Sequence, residues 1–216
     1  MKQTSLTLAL TLALAALAAG CSSLERTRSL ANPGTQAKTL AAQVCSNCHG
    51  IDGNSTSPNF PKLAGQQEEY LVAQLREFRS HQARVDPPGY EYMWGITRSL
   101  TDDQIKGLAS YFAAQKSVSP GPGNPKLLEK GKQIFDSGLP EQNVPPCGTC
   151  HGDHGQGNGQ FPRIAYQHSD YVIKQLTVFQ RTNQRPDDVA MKLVTHSLSD
   201  QNMKAVAAYL QEMPQK

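Results

Sequence analysis

Four of the five cysteines fall into two copies of one motif, C-x-x-C-H, and each copy is followed by glycine. One copy spans Cys45–His49 and the other spans Cys147–His151. Two thiols at this spacing lie on one helical turn and can reach the two vinyl groups of a haem, while the adjacent histidine is delivered to the iron. The motifs therefore predict two covalently bound c-type haems. The predicted attachment and ligand residues are Cys45, Cys48, His49, Cys147, Cys150 and His151.

Three other kinds of site also use paired cysteines. A thioredoxin-like redox pair needs a βαβ context, which the chain does not show, and it does not require the histidine. A zinc site of four cysteines does not explain the two His-Gly sequences, and its pairs are rarely about 100 residues apart. Disulfide bonds are the third alternative, because they can form in an exported protein. Two copies of the full motif behind an export signal favour haem over all three.

The two halves of the chain are copies of one unit. With the two motifs aligned, the segment Phe60–Gln66 matches Phe161–Gln167, and the segment 100–112 matches 198–210. An internal repeat of this extent indicates a duplicated fold. The Pro/Gly-rich stretch Ser117–Pro125 near the midpoint is the predicted linker between the copies.

Each repeat also contains a methionine that could bind the iron opposite the histidine. Met93 lies seven residues before Leu100, and Met191 lies seven residues before Leu198. A thioether in this place completes a six-coordinate iron that carries electrons and raises its potential. We therefore predict that Met93 and Met191 are iron ligands. A methionine can also be a flexible core filler, which is our interpretation of Met203.

The predicted secondary structure is all helical, because no run of residues alternates over strand length. Amphipathic segments precede each motif, follow it, and close each repeat. Thr101 with Gln104 has the pattern of a capping box at the closing helix of the first repeat, and Ser199 starts the equivalent helix. The other predicted segments are 35–45, 66–80, 125–135 and 169–181. The predicted buried stripes of the closing helices are Ile105, Leu108 and Phe112, and Met203, Val206 and Leu210.

The N-terminus has the features of an export signal. The Leu/Ala/Thr run Leu6–Ala19 has the length of a signal-peptide core and is too short to span a bilayer as a mature helix. The residues that follow resemble a lipobox, with Cys21 as the lipid-modified first residue. Ordinary cleavage stays open, because Ala18 stands where a large aliphatic residue is usual. We predict a lipoprotein-type signal peptide over 1–20, a tether over 21–34, and a periplasmic, membrane-anchored protein.

Size and charge narrow the function further. The chain has 216 residues and a net charge of +3 without a basic run, so nothing indicates nucleic-acid binding. Each half holds only about 80 to 90 residues, a size at which a purely hydrophobic core is marginal and a bound cofactor is expected. The remaining histidines are predicted to face solvent. They are His81, His154, His168 and His196.

From about residue 35 onwards, the order of motifs in both halves resembles the cytochrome c4 family, two-domain dihaem carriers of bacterial respiratory chains. The resemblance implies two tandem class I cytochrome c domains, each a small helical bundle around one covalent haem. These domains are expected over 35–116 and 126–216, with a linker over 117–125. The resemblance also implies two pairs of iron ligands, His49 with Met93 and His151 with Met191. In class I cytochromes c a proline carbonyl accepts a hydrogen bond from the ligand histidine, a role expected here for Pro61 and Pro162.

The expected function is single-electron transfer and not catalysis. An iron with six ligands has no vacant position for substrate, so the protein would only accept and pass on electrons. The resemblance implies a quinol-oxidising complex or a dehydrogenase as donor and a terminal oxidase as acceptor. The alternatives are a dihaem enzyme with an open iron, of the peroxidase or thiosulfate-oxidising type, and a haem subunit of a larger oxidoreductase complex. The paired methionines argue against an open iron.

Overall fold

The structure, a computed structural model, describes residues 32–80, 88–183, 185 and 189–213, and of residues 88–90 it describes the backbone only. The predicted signal peptide, Cys21, most of the tether and His81 lie outside the described residues. The segment Gln36–Lys216 forms one compact unit. Before this unit, the backbone N–H of Thr35 donates to the carbonyl of Asn32 over 3.1 Å and closes a turn.

The described residues form helices joined by turns and loops, with two isolated β-bridges and no strand among them. The helices of the first half are α1 (Ala37–Leu40), α2 (Ser46–His49), α3 (Glu68–Ser80), α4 (Pro88–Thr97) and α5 (Asp102–Ala113). A π-helical turn over Ala41–Cys45 joins α1 to α2. The all-α prediction is confirmed.

The second half repeats this order. Its helices are α6 (Pro125–Ser137), α7 (Gly148–His151), α8 (Ser169–Arg181), α9 (Val189–Thr195) and α10 (Asp200–Glu212). A 3₁₀ turn over Pro140–Gln142 lies between α6 and α7. None of the helices in the described part of the chain is long and apolar enough to cross a membrane.

The closing helix of each half begins where the sequence predicts. At α5 the backbone N–H of Gln104 donates to Thr101 Oγ1 over 3.1 Å, and the backbone N–H of Thr101 donates to Gln104 Oε1 over 3.0 Å, so the capping box is complete. At α10 the backbone N–H of Asn202 donates to Ser199 Oγ over 3.1 Å. Both predicted stripes are buried. These caps satisfy backbone groups that would otherwise lose their partners at a helix start.

Helices α4 and α9 are not among the predicted segments. Each is short, with no clear amphipathic period, and packs on a neighbour, α4 on α3 and α9 on α8. Short helices are marginal on their own and depend on such packing. Met93 lies on α4 and Met191 lies on α9.

In each half the first helix packs against the last, α1 against α5 and α6 against α10. Gly131 on α6 allows a close crossing, because a Cβ at this residue would overlap the carbonyl oxygen of Ala205. The core of the second half includes Met203, as predicted, and also Met213. The side chain of Met213 is 2% exposed, because it fills the core beyond the end of α10.

The segment between α5 and α6 has no helix. It lies beside the C-terminal end of α10. Ser119 Oγ donates to the carbonyl of Gln211 over 3.1 Å, and Gln211 Nε2 donates to the carbonyl of Pro122 over 2.9 Å. The backbone N–H of Gly123 also donates to the carboxylate of Glu212 over 2.8 Å. The connecting segment is therefore fixed along the second half by polar contacts.

Candidate functional site

The two cysteine–histidine motifs have the same backbone geometry. Cys45 and Cys147 have right-handed helical dihedrals, with φ of −66° and −64°, and each is followed by one turn of helix that ends at the histidine. The chain then leaves the helix through Gly50 and Gly152, whose φ values are 78° and 79°. Glycine adopts positive φ without the cost of a Cβ. This explains why both motifs continue with glycine.

The ring orientation of each histidine is fixed by a proline carbonyl. Nδ1 of His49 lies 2.8 Å from the carbonyl oxygen of Pro61, and Nδ1 of His151 lies 2.8 Å from that of Pro162. Because a carbonyl can only accept, each Nδ1 carries the proton and each Nε2 presents its lone pair. Neither Nε2 has a hydrogen-bond partner in the described part of the chain. Both hydrogen bonds expected for Pro61 and Pro162 are present.

Both histidines are held in the neutral form. Each is 8% exposed. Burial lowers the pKa of His49 and His151, and the hydrogen bond to the proline carbonyl opposes this only in part. A metal binds the neutral imidazole, so the site presents its nitrogen ready for an iron.

None of the four motif cysteines forms a disulfide. Burial raises the pKa of the Cys45 and Cys147 thiols to about 11. A reactive redox pair or a zinc site needs thiolates, which these surroundings disfavour. Within the described ranges no cluster of His, Cys, Asp or Glu could hold a metal ion, so the two pairs do not form one zinc site. Uncharged thioethers suit this environment, and the donor set therefore fits a covalent haem.

An aromatic ring stands beside each histidine. The rings of His49 and Phe60 meet edge to face with centroids 6.2 Å apart, and those of His151 and Phe161 do so at 6.4 Å. Both phenylalanines are partly exposed. They present apolar surface beside the histidine rings, which suits a flat hydrophobic group.

Each predicted methionine ligand is supported by a threonine one helical turn later. Thr97 Oγ1 donates to the carbonyl of Met93 over 2.8 Å, and Thr195 Oγ1 donates to the carbonyl of Met191 over 2.7 Å. Both threonines are fully buried and both methionines are half-buried. The threonines are not among the predicted site residues. The signal that could have found them is the Met-x-x-x-Thr pattern at the same place in both repeats.

The segment after each methionine helix is tied to the helix on which it packs. In the first half Arg79 Nη1 donates to the carbonyl of Leu100 over 3.0 Å, and Arg79 pairs with Asp102 over 2.6 Å. In the second half Gln180 Nε2 donates to the carbonyls of Thr195 (2.6 Å) and Leu198 (2.8 Å). These contacts fix the ends of α4 and α9 relative to α3 and α8.

Two buried glutamines join the halves through reciprocal contacts. Gln66 Nε2 donates to the carbonyl of Arg163 over 2.9 Å, and the backbone N–H of Arg163 donates to Gln66 Oε1 over 2.6 Å. Gln167 treats Lys62 in the same way, at 3.1 Å and 2.9 Å. The repeat alignment shows that these glutamines correspond, but it does not indicate what they bind.

The other histidines differ in their surroundings. His196 is exposed, as predicted, and His154 is half-buried. The prediction that His168 faces solvent is wrong, because it is 6% exposed and its Nε2 lies 3.0 Å from both Oγ and the carbonyl oxygen of Ser55. His168 corresponds to Gln67 of the first repeat, and it is buried because it lies in the contact between the halves.

Comparison with known proteins agrees with this geometry. The family model described as "Cytochrome c" matches residues 35–116 and 128–214. Cytochrome c4 of Stutzerimonas stutzeri is 39% identical over 176 residues, which cover 78% of this chain and 83% of the relative. A thiosulfate dehydrogenase electron acceptor of S. stutzeri strain A1501 is 33% identical over 186 residues and is covered to 82%, as is this chain.

The fold has a solved counterpart. The crystal structure of reduced recombinant cytochrome c4 from Pseudomonas stutzeri superposes with a TM-score of 0.74 at 36% identity, covering 82% of this chain and 97% of that one. The resemblance to cytochrome c4 is thus confirmed. The chain belongs to the cytochrome c4 family, dihaem class I cytochromes c whose two tandem helical domains each bind one covalent haem.

Proposed function

We propose that this cytochrome carries single electrons between respiratory redox proteins, with each iron bound by one histidine and one methionine. His49 with Met93 and His151 with Met191 are the ligand pairs, and the thioether bonds form at the two cysteines of each motif. These are Cys45, Cys48, Cys147 and Cys150. The observation that carries the proposal is the duplicated geometry of a neutral, buried histidine fixed to a proline carbonyl.

The residues of the chain hold the ligands in place and tune them. The haem supplies the reversible one-electron couple of its iron. Pro61 and Pro162 fix the histidine rings and increase the basicity of Nε2 by accepting the Nδ1 proton in a hydrogen bond. Thr97 and Thr195 hold the backbone of the methionine helices. A site in which no ligand moves between redox states keeps electron transfer fast.

The same ligand pairs argue against catalysis at iron. A dihaem enzyme needs one iron with an open position for substrate. Here both repeats place a methionine on a short helix with the same threonine contact to the methionine carbonyl. Electron transfer without bond chemistry is the function that fits two equivalent sites.

The proposed setting is the periplasm. A lipoprotein-type signal peptide over 1–20 would deliver the protein there, and a lipid on Cys21 would anchor it through the tether over 21–34. The haem domains extend over 35–116 and 126–216, joined by the linker 117–125. The chain without helix between Ala113 and Pro125 supports this division.

A terminal oxidase is the proposed acceptor, with a quinol-oxidising complex or a dehydrogenase as donor. The family resemblance supports the acceptor. One relative is named as the electron acceptor of thiosulfate dehydrogenase, and this favours an enzyme of that class as a second candidate donor. Optical measurement of the rate at which each candidate donor reduces the purified protein would show which of them is the donor.

A redox titration with optical spectra tests the ligand pairs. Oxidised haem with methionine–iron coordination gives a weak near-red band, and we expect two high-potential transitions with this band in the wild type. Met93→Ala and Met191→Ala should each remove the contribution of one haem. Met203→Leu is the matched control, because Met203 is buried in the core and its replacement should leave the band unchanged. Protein without porphyrin, or an unaltered band in either alanine variant, would refute the proposal.

A further inference from the structure

One peptide group in each half takes part in two functional contacts at once. The carbonyl of Pro61 accepts from His49 Nδ1, and the N–H of the same peptide, which belongs to Lys62, donates to Gln167 Oε1 of the other half. The Pro162–Arg163 peptide does the same between His151 and Gln66. Each histidine is therefore linked by two successive hydrogen bonds to a glutamine of the opposite repeat.

The two hydrogen bonds of one peptide group strengthen each other. An acceptor on the N–H side draws electron density towards the carbonyl oxygen, which then accepts more strongly from the histidine. The effect is larger in surroundings of low dielectric constant, and Lys62, Gln66, Gln167 and both histidines are buried. Such second contacts on a ligand histidine alter its basicity towards the metal.

We propose that Gln167 and Gln66 are positioning residues that set the ligand strength of the histidine in the opposite domain. Gln167 acts on His49 through the Pro61–Lys62 peptide, and Gln66 acts on His151 through the Pro162–Arg163 peptide. This inference rests on the proposed iron ligation by the two histidines. It makes the potential of each haem depend on the contact between the domains.

The direction of the effect follows from the chemistry of the hydrogen bond. Without the glutamine acceptor, the proline carbonyl accepts less strongly and the imidazole becomes a weaker electron donor to iron. The oxidised iron, which needs that donation more, loses more stabilisation than the reduced iron. The potential of the haem in the opposite domain should therefore rise.

Gln167→Met in the haem-loaded protein tests this prediction, because methionine keeps the length of the side chain and removes both polar groups. A redox titration followed by the NMR signals of the haem methyl groups reads the two haems separately. At a fixed potential, we expect the ratio of reduced to oxidised first haem to rise by about three- to tenfold. Tenfold corresponds to about 59 mV for a one-electron couple. The second haem should not change.

Gln66→Met should give the mirror image, with the shift confined to the second haem. In the reduced protein, the Nδ1–H proton of the histidine in the opposite domain should move upfield and exchange faster with solvent. Gln167→Asn, which is shorter but still polar, repeats the test if the methionine variant takes up haem poorly.

Gln67→Met is the matched control. Gln67 Nε2 donates to the carbonyl of Gln156 over 2.7 Å and so also joins the halves, but among the described residues its side chain makes no hydrogen bond to either proline peptide. We expect both potentials to stay in place in this variant. Three results would overturn the inference: equal shifts in the potentials of both haems, a shift confined to the haem of the domain that contains the substituted glutamine, or no shift in either potential. Absence of the near-red methionine band from the spectrum of the oxidised wild type would instead refute the proposed ligation.

Discussion

At the scale of single residues, the tautomer of each motif histidine is decided by one backbone acceptor. The proline carbonyl holds the proton on Nδ1, and burial favours the neutral ring, so that Nε2 keeps the lone pair that the proposed iron ligation requires. Partial burial likewise raises the pKa of the Cys45 and Cys147 side chains to about 11 and disfavours their thiolate forms. The surroundings suit covalent attachment better than thiolate chemistry.

Thr97→Val tests whether the buried threonine supports the methionine helix. Valine has a similar shape but cannot donate to the Met93 carbonyl, so we expect a loss of about 0.5–1.5 kcal/mol in the free energy of unfolding. The near-red band of the first haem should also be lost at lower denaturant concentration than global unfolding. Denaturant titration followed by circular dichroism and by the band measures both.

Two comparisons make this test specific. Thr195→Val should affect the band of the second haem in the same way, because its contact with Met191 is equivalent. Ser110→Ala, at an exposed residue of α5, should change neither stability nor spectrum appreciably. Equal effects of all three substitutions would show that the threonine contacts have no special role.

The sequence located the motif residues because their types and spacing are themselves the signal. It did not reveal Thr97 or Gln167, because both bind backbone groups. A backbone carbonyl or N–H is present at every residue, so the partner cannot be read from residue types, and for Thr97 only the recurrence of Met-x-x-x-Thr in both repeats marks the position. For Gln167 the partner also lies in the opposite repeat, far outside any local pattern.

At the scale of helices, the sequence predicted best those elements that carry their own signals. Helices α5 and α10 have caps and buried stripes that can be read from the residue types. Helices α4 and α9 do not, since they depend on packing against α3 and α8 and on the contacts made by Arg79 and Gln180. Elements of this kind are defined by tertiary structure, and no pattern in the sequence indicates them.

Gly131→Ala tests the close crossing of α6 and α10. Alanine favours a helix over glycine by about 1 kcal/mol, but here its Cβ would overlap the carbonyl oxygen of Ala205 and the side chain of Tyr209. We expect the overlap to dominate, with a net destabilisation of about 1–3 kcal/mol. Thermal or denaturant unfolding of the haem-loaded variant measures the change.

Gly95→Ala on α4 is the matched control for this substitution. A Cβ at Gly95 meets nothing within 4 Å, so only the helix preference remains. We expect this variant to be more stable than the wild type by up to about 1 kcal/mol. Stabilisation by both substitutions would mean that the helix crossing is not close.

At the scale of the whole molecule, the contact between the two halves is made by corresponding residues, of which some are identical and one pair differs. Gln66 and Gln167 keep the same role on both sides, whereas Gln67 of the first repeat is replaced by His168 in the second. The contact thereby gains one titratable ring. No periodicity within either repeat indicates how the halves meet, and for this reason the sequence alone predicts an exposed His168.

His168 should make the stability of the molecule depend on pH. Its Nε2 donates to the carbonyl of Ser55, and burial lowers its pKa below the usual value of 6.5. The hydrogen bond to Ser55 and the charge of Asp170 oppose this lowering of the pKa, and the charge of Lys62 adds to it. The unfolded chain therefore binds a proton that the folded protein does not. Stability is full above about pH 6.5 and falls as the pH drops from there towards the folded pKa.

His168→Gln introduces the residue type of Gln67, the counterpart of His168 in the first repeat. It should remove this part of the pH dependence. The measurement is the denaturant midpoint of the haem-loaded protein at about pH 7.5 and about pH 5.5 for both chains. We expect the wild type to lose more stability than the variant on acidification, while the exposed His196→Gln behaves like the wild type. If His168→Gln keeps the full dependence, protonation of the ring does not oppose the contact, and carboxylates elsewhere in the molecule cause the acid sensitivity.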